Sequence, residues 1–158
     1  MATLVASPAM TQQRRGISWH RILVTLAITA AAGLILFLAI KGADYYRTDY
    51  ADRSQSPLHA ELRSSGIIGL RLGMLGLAMF VVIFTLPLRK RLKWLANLGN
   101  TRHWLDFHVI LGITAPLVIT FHSAFRWRGL AGLAYWIMIV VSISGFVCLL
   151  YTSDAAAE

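Results

Sequence analysis

The segment HVILGITAPLVITFH, residues 108–122, is almost wholly apolar yet has a histidine at each end. On a helix, fourteen residues rise about 21 Å and finish only about 40° out of phase, so His108 and His122 share a face. Between them that face bears Gly112 and Ala115, with Ile119 lower down. Small residues there would let a flat macrocycle approach the backbone. Ionisable groups inside a bilayer are costly and are functional by default. Neutral imidazole is a common metal ligand and a frequent axial ligand to haem iron. Two histidines at this separation suit two haems stacked across a membrane, an arrangement for moving electrons from one side to the other. The competing reading is two amphipathic side chains near helix ends, hydrogen-bonded to loops. Pro116, inside the segment, bends its helix or frees a carbonyl that a neighbour must satisfy.

The elements that would position these histidines are transmembrane helices. The chain has 158 residues, 57% of them hydrophobic and only 14% charged. The apolar residues fall into four blocks at about 22–40, 66–88, 104–125 and 130–150. Each is long enough to cross a hydrocarbon core of about 30 Å. The fold class this implies is all-α, an integral membrane bundle of four transmembrane helices in the lipid bilayer. Residues 1–19 read as an N-terminal tail and residues 20–147 as the helical domain. Glycines 66, 69, 73 and 76 in the second block permit close helix packing. Asn100 or Thr101 could cap the third block, and Asp106 near its first turn suits the helix dipole. The loop KGADYYRTDYADRSQSPLHAELRSS has balanced charge, tyrosines suited to an interfacial belt and a short helix near HAELR.

The formal charge of +8 raises the question of nucleic acid. The basic residues cluster between the apolar blocks, where topology accounts for them, so nucleic-acid binding is set aside. Arg14, Arg15 and Arg21 flank the first block, and Arg89, Lys90, Arg91, Lys93 and Arg102 follow the second. This distribution predicts a cytoplasmic N-terminus in a multi-pass protein. The basic cluster after the second block is also able to bind anionic lipid. Arg71 lies inside the second block and has two readings. It snorkels to the interface, or it pairs with a haem propionate. His103 and Trp104 similarly read as interfacial anchors or as propionate contacts. Cys148 is the single cysteine, so an internal disulfide is excluded. There is no CxxC, no glycine-rich nucleotide loop and no Ser/His/Asp constellation.

The last eleven residues, CLLYTSDAAAE, resemble the read-through of a transposase mosaic-end sequencing adapter, with Ala157 standing where that peptide has Asp. Residues 148–158 are therefore expected to be a processing scar rather than natural protein. On that expectation the fourth helix is cut, the bundle is part of a larger one, and Cys148 has no natural role.

The H-x13-H helix resembles those of the membrane domains of ferric reductases, NADPH oxidases and respiratory cytochrome b subunits. The run LGNTRHWLDFHVILGITAPLVITFHSAFRWRGLAGLAYWIMIVVSISG, with RSSGIIGLRLGMLG and LRKRLKW before it, is similar to a bacterial group of cytochrome b-like membrane proteins. The resemblance spans roughly residues 62–146. It implies haem b, two in the full-length protein, with His108 and His122 each supplying one axial ligand. It also implies a second histidine pair on another helix. His20, His59 and His103 are poor choices for that pair, so the partner helix is expected beyond Val147. The function implied is electron transfer in a bacterial cytoplasmic membrane, as the membrane part of an oxidoreductase. Its partners would be quinol or a redox protein. The alternative is a non-redox transporter or scaffold subunit, whose histidines pack or handle protons.

Overall fold

A computed structural model describes residues 19–97 and 99–155. The expected N-terminal tail, apart from Trp19, lies outside the described residues. Every regular element described is helical. In chain order they are α1 (Trp19–Lys41), α2 (Ala43–Arg47), α3 (His59–Leu62), α4 (Ile67–Arg89), α5 (Lys93–Ala96), α6 (Thr101–His122) and α7 (Gly129–Ala155). A 3-10 turn, Arg53–Gln55, lies between α2 and α3. The long helices α1, α4, α6 and α7 each hold a stretch long and apolar enough to cross a bilayer. By length and composition the chain is a multi-pass membrane protein.

The central helix is α6, which packs against α1, α4 and α7. It runs antiparallel to α4, since His122 lies beside Gly69 and His108 beside Ile83. The same holds for α7, where Ser142 meets Gly112 and Tyr135 meets Thr120. The tightest seam joins α4 to α6. On α4 the buried positions Gly69, Leu72, Gly76 and Met79 recur in steps of three and four. On α6 the positions 108, 111, 115, 118 and 122 do the same, and Ala115 and Val118 are fully buried. Such heptad spacing keeps one seam facing a neighbouring helix. Fourteen residues are two heptads, so both histidines face α4.

The capping Gly66 and the three glycines within α4 divide into two pairs. A Cβ at Gly73 would lie 2.7 Å from the His122 ring, and one at Gly76 would lie 2.5 Å from the end of Ile119. These two admit α6. A Cβ at Gly66 or Gly69 would instead strike the backbone of residues 60–64. That pair lets the segment leading out of α3 fold back against the start of α4.

Each long helix of the seam contains a proline, and each proline leaves an unserved carbonyl four residues earlier. Pro116 frees the Gly112 carbonyl, and the Ser142 hydroxyl of α7 donates to it at 2.7 Å. Pro87 frees the Ile83 carbonyl, and His108 Nδ1 lies 3.2 Å from it. In hydrocarbon such groups must be met by neighbouring helices, because no water reaches them. Ser144 bonds its own helix at Val141.

Helix α6 starts where Asn100 accepts the Arg102 amide, so Asn100 rather than Thr101 is the cap. It ends at His122, three residues before the end of the apolar block. The Phe125 amide donates to Thr120 and the Ala124 amide to Phe121, which is the Schellman pattern of a closed helix end. The connector after α1 is less of a surface loop than its composition implies. Tyr45 and Leu62 are buried, and Tyr46 packs edge-on against Phe121, while Tyr50 stays outside. Burial pushes the Tyr46 phenol up to about 12 and raises Tyr45 as well, though Arg53 pulls Tyr45 the other way. The outward faces of α1 and α7 are apolar and uncovered, as lipid contact requires; Leu36 is 61% and Leu130 88% exposed.

Candidate functional site

Both histidines of the seam make the same kind of bond. His108 Nδ1 meets the Ile83 carbonyl at 3.2 Å, and His122 Nδ1 meets the Gly69 carbonyl at 2.8 Å. A carbonyl only accepts, so each Nδ1 must be the protonated donor. A neutral ring then leaves Nε2 with a free lone pair. Anchoring one ring nitrogen to a backbone carbonyl while the other is left to coordinate is the usual support of a metal-bound histidine.

The two differ in what surrounds that lone pair. His108 lies in the wall of a cavity of about 610 Å³ between α4, α6 and α7. The wall is otherwise mostly apolar, including Phe80, Pro116, Met138 and Phe146. Gly112 also lines it, and a Cβ there would meet nothing within 4 Å. The Ser142 hydroxyl in this wall is already given to Gly112. The volume is that of a cofactor-sized pocket, and the composition is that of a site with few, well-placed polar groups. His122 does not line this cavity. Its ring is wedged over Gly73, at the last residue of α6.

Arg71 is on the exposed face of α4 and does not line the cavity either. That placement suits a side chain reaching for the interface.

The other histidines are engaged elsewhere. His20 of α1 stacks on His103 of α6, with ring centres 3.7 Å apart, and its Nε2 lies 2.8 Å from Asp106. His59 Nδ1 is 3.1 Å from the Tyr45 hydroxyl. Among the described residues no second histidine lines the cavity opposite His108, and no cluster of three or more metal-binding side chains occurs. The grouping of His20, His103 and Asp106 was not legible in the sequence. Its members come from helices far apart in the chain, and helical phase relates residues only within one helix. Arg53 was missed in the same way. Its charge is balanced within its own loop, but its guanidinium is used at the end of α6.

No family model, no curated protein and no solved structure matches the chain.

Proposed function

We propose that this chain is the membrane part of a haem b electron-transfer protein, similar in plan to cytochrome b and ferric reductase membrane domains. His108 would hold the haem iron at the cavity between α4, α6 and α7. His122, which does not line that cavity, would hold a second haem toward the other leaflet. The observation that carries this reading is His108 itself: Nδ1 tied to a carbonyl, and the ring set in an apolar wall around a cofactor-sized space. When bound, haem supplies one-electron chemistry, with a potential tuned by its ligands and burial. The protein's part is to hold and to exclude. The Ile83 carbonyl fixes the tautomer and plane of His108, Gly112 leaves the backbone approachable, and the apolar walls keep water away. In this reading the opposite ligands come from a helix that is not among the described residues. Its setting is a bacterial cytoplasmic membrane, and the distribution of Lys and Arg favours an N-terminus on the inside. Quinol or a redox protein is the partner.

A second reading draws on the same bonds. Each histidine satisfies a backbone carbonyl as a packing residue does, and His122 is wedged against Gly73. A non-redox transporter or scaffold subunit would need no more. A reduced-minus-oxidised spectrum of membranes holding the protein separates the two. Haem b ligation gives a sharp alpha band. A flat spectrum from well-expressed protein in haem-replete cells overturns the haem reading and leaves the second.

A further inference from the structure

We infer that Arg53 is the positioning residue that fixes the imidazole of His122; the inference rests on the reading of His122 as a ligand. Arg53 lies in the 3-10 turn between α2 and α3 and is only 8% exposed. Its guanidinium donates to three backbone carbonyls: Ala124 at 2.6 Å, Tyr46 at 2.9 Å and Thr48 at 3.0 Å. Its charge also lies over the Tyr45 ring at 5.5 Å. The Tyr46 and Thr48 carbonyls are at the end of α2, and Ala124 is two residues past the end of α6. A cation at the carbonyl ends of two helices complements both dipoles.

The end of α6 needs such a hold. The Schellman turn requires a left-handed residue after the cap, a place usually taken by glycine. Here Ala124 has φ 49° and Phe125 has φ 61°, so two consecutive residues with a Cβ occupy that region. Nothing in these side chains favours the conformation. Arg53 supplies an external reason for it by gripping the Ala124 carbonyl. His122 is the last residue of α6, so the turn that follows it determines where the helix stops and how that residue is rotated. If the turn relaxes, the His122 ring loses its register with Gly69 and Gly73. His108 is fourteen residues upstream, tied to a different carbonyl, and does not depend on this turn. Nε, Nη1 and Nη2 each serve a different carbonyl, which calls for the planar fork of arginine; the point charge of lysine does not reproduce it.

The test labels histidine nitrogens with diethylpyrocarbonate in the haem-free full chain in lipid nanodiscs, read residue by residue by mass spectrometry. In Arg53→Gln, labelling of His122 should rise severalfold relative to His108, with His108 unchanged from the parent protein. Arg53→Lys should fall between the two. An unchanged ratio in Arg53→Gln overturns the inference. So does an equal rise at both histidines in both variants, which would make Arg53 a support of the whole bundle. A missing haem spectrum in the parent protein would sink the haem reading without touching this ratio.

Discussion

The two ends of α6 hold the same side chain by the same atom, yet they are built differently. At His108 the partner carbonyl has no helical bond of its own, because Pro87 removed it, and space lies beyond the ring. At His122 the partner is a carbonyl within the first turns of α4, the ring is pressed on a glycine, and the helix ends there. One imidazole serves the fold and lines a cavity. The other is held in place by its surroundings. The difference teaches that a symmetric sequence motif need not give symmetric sites: spacing sets the face, but the neighbouring helix sets the room.

The largest expected effects come from deleting the rings. On the haem reading proposed above, His108→Ala and His122→Ala should each remove one haem and halve the alpha band. Their stability costs should differ. His108→Ala leaves the Ile83 carbonyl bare and should cost about 1–3 kcal/mol, while His122→Ala should cost less. Equal costs in denaturant titrations would erase the contrast.

Next come the glycines. Gly73→Leu drives side-chain atoms into the His122 ring and should destabilise the α4–α6 seam by about 1–3 kcal/mol. Gly112→Leu meets open space and should leave the melting temperature unchanged or higher while filling the cavity. On the haem reading, haem analysis should then show loss at His108 only. Loss of both haems would mean that the sites are not independent.

Ser142→Ala uncovers the carbonyl freed by Pro116 and should cost about 1 kcal/mol, read as a lower melting temperature. Ala124→Gly places the usual residue in the left-handed position and should stabilise by about 1 kcal/mol. A loss instead would show that the turn is not strained. The smallest effect concerns Tyr46, whose buried hydroxyl has no hydrogen-bond partner among the described residues. Its folded value is raised to about 12 from 10, so the neutral phenol is favoured in the folded state. That contribution is complete below pH 10 and is lost as pH rises toward about 12. Tyr46→Phe should flatten this alkaline decline in a melting series.

The four long helices were legible because a span needs length and hydropathy, and both are local properties of the sequence. The start of α6 was nearly so, since Asn100 is a capping residue at the right place. Its end was not, because Ala124 and Phe125 give no sign of a left-handed turn; the sign is an arginine seventy-one residues earlier in the chain. The tyrosines of the first loop looked like a surface belt, but Tyr45 is buried against Leu62 and Ala124. Composition places such residues near an interface and says nothing of which way they turn.

By itself the sequence determined the bundle's spans and the common face of His108 and His122, because helical phase follows from residue count alone. It also determined that Pro116 would bend its helix or leave a carbonyl in need of an outside donor, because proline removes an amide wherever it stands. Only the tertiary structure decided which donors answered: Ser142 for Gly112 and His108 for Ile83. It alone put a cavity beside one histidine and a glycine beneath the other. Those choices depend on the register between helices, and register is a property of the packed seam, not of either strip of residues taken alone.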